Sequence, residues 1–325
     1  FISMGWEVNL LGPLPTPAVS FLTKSLRADL GIMISASHNP YEDNGIKFFD
    51  NDGLKIDTKM EEEISKQMGS KPQLVVPSEL GRASRINDVL GRYTEFAKIS
   101  IPTSLTLNGM KIVADCANGA AYKILPQILS ELGAEVVSIA VNPNGFNINE
   151  ECGSTKPEKA QKAVLETGAD LGICLDGDAD RVLFIDEQGL LANGDQVLGL
   201  LARAWVNKNL LNKNTVVATI MSNLALELYL EKIGVSLIRT QVGDKNVSKC
   251  MNEKGLNLGG EQSGHLILAD YSNAGDGLIT SLQVLSVLVE SQKKASQVFD
   301  LFKPFPQSLI NIEAQQCNDF EKNEQ

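Results

Sequence analysis

No stretch of the 325-residue sequence is apolar for long enough to cross a bilayer; the longest apolar runs are strand-sized and sit beside glycine or aspartate. The sequence shows no signal-peptide pattern either, and a membrane is not among the expected partners. Positive charge is scarce. Lysine and arginine number 29 against 40 aspartates and glutamates, a formal net charge of -11. Binding to duplex nucleic acid needs a basic stripe that displaces condensed counterions, so nucleic acid is excluded. An anionic small molecule is not, because a few local cations hold a phosphate in a protein that is acidic elsewhere. Cysteine is sparse: Cys116, Cys152, Cys174, Cys250 and Cys317 are scattered, odd in number and never spaced CxxC. That argues against a disulfide frame or a zinc site and predicts reduced thiols in a cytoplasmic protein. Histidine is rarer still, with only His38 and His265. The sequence opens at Phe1 rather than Met, close to a strand expected at residues 6–11, and stops in a polar run soon after a strand expected at 308–312. A piece of a longer protein is the expected reading.

Core-forming residues are plentiful. The chain is 43% hydrophobic and 21% charged, which marks a folded protein, and its length suits two or three domains. Strand and helix patterns alternate, which predicts an α/β fold: three consecutive α/β domains with mixed, mostly parallel sheets and the start of a fourth. Strands are expected at residues 111–116, 134–141, 171–175, 181–186, 215–220 and 235–240. Helices are expected at 86–98, 120–132, 157–167, 223–233 and 245–253, and a long one at 276–301. The boundaries drawn from these patterns give units at 1–107, 108–207 and 208–304, with a last segment at 305–325.

Four loops carry residues suited to chemistry. In the first, a strand expected at 31–34 runs into Ser35-Ala36-Ser37-His38-Asn39-Pro40, followed by Asp43-Asn44-Gly45-Ile46-Lys47. Small residues let backbone N–H groups approach a phosphate, and a serine hydroxyl is a nucleophile. Lys47 offers a charge for a transferring group. A bare Ser-His pair is also compatible with an ordinary loop, and it makes no Ser-His-Asp hydrolase, because neighbours on a strand point apart. In the second, Asp176-Gly177-Asp178-Ala179-Asp180-Arg181 places three carboxylates at alternate positions, on one face if the segment is extended, about 6–7 Å apart. Such a cluster calls for a hard cation, with Mg²⁺ before zinc, and Arg181 suits a phosphate. A solvated acidic turn without metal is the plain alternative. An EF-hand would use Glu187 at its last position, but Arg181 stands where that loop needs glycine. The third loop, Gly259-Gly260-Glu261-Gln262-Ser263-Gly264-His265, offers a carboxylate, an amide and a hydroxyl to sugar hydroxyls, or is simply a hairpin turn. In the fourth, Val242-Gly243-Asp244-Lys245-Asn246, Gly243 and Asp244 read first as a helix N-cap, with a ligand contact as the second reading.

Taken together these loops resemble those of the α-D-phosphohexomutase superfamily, and within it the phosphoglucosamine mutase branch. The resemblance extends from Leu11-Gly12-Pro13-Leu14-Pro15-Thr16-Pro17 to the helical stretch after Asp276. Gln262 after the glutamate, the run Asn147-Ile148-Asn149, and Cys152-Gly153-Ser154-Thr155 are similar to that branch. The resemblance implies a phosphoserine at Ser37, with His38 beside it. It implies Mg²⁺ held by Asp176, Asp178 and Asp180 together with a phosphoserine oxygen on Ser37. It implies Glu261 and Ser263 on ring hydroxyls, Arg181, Gly243 and Asp244 at the substrate, and Lys47 and His265 assisting proton transfer. The implied reaction interconverts glucosamine 6-phosphate and glucosamine 1-phosphate, on the route to UDP-N-acetylglucosamine and bacterial cell wall. A sugar 1,6-bisphosphate serves as intermediate and activator. The same resemblance leaves open a phosphomannomutase or phosphoglucomutase, a non-catalytic sugar-phosphate-binding protein, and a homodimer as the assembly. The family's Gly-Thr-x-Gly-x-Arg-like segment and its carboxy-terminal phosphate-binding loop are not in this sequence, so weak substrate binding is expected of this chain as it stands.

Overall fold

The computed structural model describes residues 1–308 and 310. The strand expected at 308–312 and Cys317 fall largely or wholly outside them. The first part of the chain holds β1 (Val8–Leu10), α1 (Thr16–Ser25), β2 (Gly31–Ser35), β3 (Gly45–Phe49), α2 (Thr58–Gln67), β4 (Ala83–Arg85) and α3 (Val89–Ile99). β1 and β4 pair in parallel; β2 and β3 form an antiparallel ribbon in which Met33 faces Lys47. Residues 45–47, expected in a loop, are therefore strand, because the Asn44-Gly45 turn signal belongs to the loop that returns the chain from Ser37 to pair with β2.

The second part is a five-stranded sheet in the order β6-β5-β7-β8-β9, with β5 (Lys111–Asp115), β6 (Glu135–Ile139), β7 (Leu171–Leu175), β8 (Val182–Asp186) and β9 (Leu191–Ala192). β5, β6 and β7 are parallel, whereas β8 and β9 run antiparallel. Every residue of β7 and β8 is buried, as expected for strands covered on both faces. The period of two sorts their side chains. Ile112, Ala114, Ile173, Leu175 and Phe184 join the main core, shared with α4 (Ile124–Glu131). Val113, Cys174 and Ile185 meet Ala160 and Val164 of α5 (Glu158–Thr167) on the other face.

α6 (Gly194–Asn207) opens with a capping box, Asn193 to Gln196, and packs on the third sheet. That sheet has the order β11-β10-β12-β13, built from β10 (Thr215–Thr219), β11 (Ser236–Thr240), β12 (Leu258–Gly260) and β13 (Leu266–Leu268); only β13 is antiparallel. α7 (Leu224–Lys232) follows β10, and α8 (Asp244–Lys254) covers the opposite face through Val247 and Met251. The helix expected at 276–301 is two. α9 (Gly277–Ser291) stops where Gln292 takes a left-handed φ of 53°, and α10 (Ala295–Phe299) resumes. The α/β class with mixed, largely parallel sheets is what the sequence predicts.

The architecture positions the site simply. The loops after β2, β7, β11 and β12 all leave the carboxyl ends of strands, where open α/β sheets bind ligands. One buried polar contact ties the outer parts together: the Tyr93 hydroxyl on α3 donates to Asp276 Oδ2 at 2.8 Å, while Asp276 Oδ1 caps α9 at Ile279 N. Burial pushes the Asp276 carboxyl up to about 6, against the opposing hydrogen bonds. A raised carboxyl favours the folded state while protonated, so this contribution is complete below about 4 and is lost as pH rises through about 6. Asp276→Asn keeps the cap without the titration. Its urea midpoint, measured against the parent, should improve steadily between pH 4 and pH 7; a constant difference would contradict the assignment.

Candidate active site

The acidic loop joins β7 to β8. It is the short turn expected between those two strands rather than an extended row, with Ala179 at φ 58°. The turn brings ligand oxygens of Asp176, Asp178 and Asp180 within 4.8 Å of one another, closer than an extended strand allows. All three are buried. Asp176 Oδ1 accepts from Arg181 N at 3.1 Å. Among the described residues Asp176 Oδ2, Asp178 Oδ1 and Asp180 Oδ1 have no hydrogen-bond partner. Burial, then Asp180 and Asp178, push the Asp176 carboxyl far above the usual carboxylate range. Burial would raise Asp180 as well, but His265, Lys47 and Lys55 hold it well below that range. A proton on Asp176 relieves the repulsion of the metal-free cluster, and a cation does the same. Buried, oxygen-only and unpartnered on one atom each, the three carboxylates fit a hard divalent ion. They do not form an EF-hand, because strands flank the loop and Glu187 is spent on Ser296, accepting from its N at 3.0 Å and its Oγ at 2.5 Å.

The serine loop is pressed against this turn. Ser37 lies just beyond β2 in a left-handed conformation, φ 54°, with its N–H bonded to Ser35 Oγ at 2.8 Å. Its carbonyl accepts from Asn149 Nδ2 at 2.8 Å, and the same amide reaches Asn39 O at 2.8 Å. A Cβ on Gly177 would lie 2.5 Å from the Ser37 carbonyl oxygen, so the two loops approach this closely only because residue 177 is glycine. The turn also alters the relation of Ser37 to His38. They do not diverge as strand neighbours do; His38 Nδ1 sits 3.5 Å from Ser37 Oγ, at the outer limit of a hydrogen bond. Burial, then the Arg181 charge, lower the His38 pKa.

Lys47 reaches from β3 to Asp178 Oδ2 at 2.5 Å and Asp180 Oδ2 at 2.9 Å. Burial alone would lower its pKa, but Asp180 and Asp178 outweigh it and hold the ammonium well above the ordinary lysine range. Thr16, the first residue of α1, also donates its hydroxyl to Asp178 Oδ2. Reasoning from the sequence missed Thr16. Its signal was a threonine between two prolines, which reads equally well as a helix start.

The sugar-type loop is a hairpin turn between β12 and β13, so both readings of it are compatible. Glu261 N bonds His265 O at 2.9 Å, and Glu261 Oε1 accepts from Gly243 N at 3.0 Å. Gln262 Nε2 reaches the buried Asp195 at 3.3 Å, while Ser263 is exposed at the tip. The buried His265 ring spans two acids, with Nδ1 3.4 Å from Asp180 Oδ1 and Nε2 3.7 Å from Asp244 Oδ2. A Cβ on Gly275 would fall 2.2 Å from His265 Nε2, so that wall also requires glycine. The two histidines thus differ: His38 flanks Ser37, and His265 links the acidic loop to α8. Asp244 is not the N-cap. Gly243 holds that place, and the Asp244 carboxylate pairs with Lys55. Burial would raise Asp244, yet His265 and Lys55 hold it below its usual value. Ser37, Lys47, Asp176, Asp178, Asp180, His265 and Asp244 thus meet around one turn, whereas Lys245 of the fourth loop pairs with Glu61 instead.

Three family models match: phosphoglucomutase/phosphomannomutase alpha/beta/alpha domain I over residues 1–74, domain II over 92–189 and domain III over 193–305. The chain is 55% identical over 312 residues to a phosphoglucosamine mutase of Zymomonas mobilis, covering 96% of the chain and 70% of that protein. It is 56% identical over 314 residues to a phosphoglucosamine mutase of Gluconacetobacter diazotrophicus, with the same coverage of 96% and 70%. The fold also matches the Aspergillus fumigatus N-acetylphosphoglucosamine mutase solved with GlcNAc-6P and magnesium, at TM-score 0.72 and 18% identity, covering 93% of this chain and 79% of that one.

A divalent cation at about 100 times its dissociation constant should raise unfolding stability by about 2.7 kcal/mol. Asp176→Asn should abolish that rise while leaving the metal-free protein at least as stable as the parent, since the neutral amide needs no proton to sit beside Asp178 and Asp180. Urea titrations with and without Mg²⁺ test this.

Proposed function

Because the chain belongs to the phosphoglucomutase/phosphomannomutase family, we propose that it is a phosphohexomutase of the glucosamine branch, interconverting glucosamine 6-phosphate and glucosamine 1-phosphate. The relatives that are phosphoglucosamine mutases over 96% of the chain support this branch over a mannose or glucose mutase. The observation that carries the chemistry is the contact of the Ser37 loop with a buried, under-coordinated carboxylate cluster.

Ser37, phosphorylated, would give its phosphoryl group to O1 of glucosamine 6-phosphate: the Ser37 Oγ–P bond breaks as the O1–P bond forms, and the O1 proton is taken up. The 1,6-bisphosphate turns over in the cleft, and its 6-phosphoryl group returns to Ser37, releasing glucosamine 1-phosphate. A phosphoserine carries a charge of about −1.5 to −2, so the serine needs cations beside it. Asp176, Asp178 and Asp180 would hold Mg²⁺, which when bound supplies charge neutralisation at the transferring oxygens. Lys47, held protonated by Asp178 and Asp180, suits charge stabilisation better than proton abstraction in this arrangement. Arg181 is assigned to phosphate and His265 to proton transfer, with His38, 3.5 Å from Ser37 Oγ, as a second proton carrier. Glu261, fixed by Gly243 N, and Ser263, exposed beside it, are assigned to the sugar hydroxyls, with Asp244 and Lys55 framing that side. The acetylated substrate and magnesium bound by the Aspergillus fumigatus mutase belong to the same chemical class.

Ser37→Ala should lower mutase turnover by about 10³-fold or more while leaving Mg²⁺-dependent stabilisation in place. Intact mass should show one phosphate on the parent and none on the variant. Assays with glucosamine, glucose and mannose 6-phosphates decide the branch; a parent fastest on glucose or mannose 6-phosphate would overturn the glucosamine assignment, and a turning-over Ser37→Ala would overturn the carrier.

A further inference from the structure

Thr16 is fully buried, and both of its polar groups point at one residue of the acidic loop, 162 positions away in sequence. Its N–H donates to the Asp178 carbonyl at 2.9 Å, and its hydroxyl donates to Asp178 Oδ2. The Lys47 ammonium approaches that same Oδ2, at 2.5 Å. The other oxygen, Asp178 Oδ1, is buried without a hydrogen-bond partner among the described residues. The two oxygens of a carboxylate are equivalent until neighbours distinguish them. Here two donors converge on Oδ2, which fixes the rotation of the group and leaves Oδ1 as the atom with free lone pairs in a cluster whose carboxylate oxygens lie within 4.8 Å of one another.

We propose that Thr16 is a positioning residue for the metal, selecting Asp178 Oδ1 as the ligand atom. The inference rests on reading the acidic cluster as a metal site. The threonine hydroxyl orients the carboxylate from outside, as groups bonded to metal-ligating carboxylates do, and it does so from the same chain segment that carries Ser37. One bond therefore sets both the direction of a ligand and the register between the serine-bearing part and the acidic loop. A threonine that served only to start α1 would need its backbone and not its hydroxyl, and the second proline-flanked N–H bond to the Asp178 carbonyl would suffice.

The test uses Mn²⁺ as the probe, with free Mn²⁺ followed by its electron paramagnetic resonance signal in titrations of the whole chain. Thr16→Val removes the hydroxyl and keeps the branched shape and the backbone bond. It should weaken Mn²⁺ binding by about 10- to 100-fold, the range seen when partners of metal ligands are removed. Thr16→Ser, which keeps the hydroxyl and loses only a methyl, should bind as the parent does. Thr16→Val binding Mn²⁺ with parental affinity would overturn the proposal, as would an equally weakened Thr16→Ser. Thr16→Ala, which also lacks the hydroxyl, replaces the valine variant should that one not fold, and parental Mn²⁺ affinity in it would equally overturn the proposal. A parent that takes up no Mn²⁺ would instead remove the metal reading itself, an outcome separate from normal uptake by Thr16→Val.

Discussion

Three carboxylates buried within 4.8 Å of one another are the constraint around which the rest of this molecule is arranged. Two unit charges about 4 Å apart repel by about 4 kcal/mol even at an effective dielectric of about 20, so three ionised carboxylates cannot share this turn uncompensated. A fold that keeps this cluster must compensate it locally. Lys47 comes from β3, Arg181 N from the loop itself, Thr16 from the first turn of α1, and His265 from the hairpin between β12 and β13. Each part of the chain thus sends a donor or a cation to one turn. The cluster holds the parts together as well as offering a cation site.

Close backbone approach makes that convergence possible. Gly177 allows the carbonyl of Ser37 to lie against the acidic turn, and Gly275 allows the His265 ring to lie flat in its slot. Both positions trade side-chain packing for proximity, which is tolerable where the neighbouring contacts are polar and short. The same economy appears at Asp244, whose place in the first turn of α8 leaves its carboxylate free to join Lys55 across to the first part of the chain.

Much of this was legible beforehand. β7 falls on residues 171–175 as predicted, because a short apolar run between Gly168 and Asp176 admits little else. The helices ending at Gly168 and Gly255 stop where glycine takes the left-handed conformation. Irregular elements were read less well. β3 was hidden behind an Asn-Gly turn signal, and the break at Gln292 has no marker in a stretch of strong helical periodicity. Local patterns report local preferences, and pairing with a distant strand can override them.

The sequence by itself determined the α/β class, the candidate site residues and their grouping into four loops, because those depend on residue type and short spacing. Tertiary structure decided the rest. It turned an apparently extended row of aspartates into a compact cluster, gave His38 and His265 different neighbours, and brought Thr16 onto Asp178 across 162 positions. Electrostatic and hydrogen-bonding partners are set by distance in space, and separation along the chain carries no information about which buried charge needs which donor.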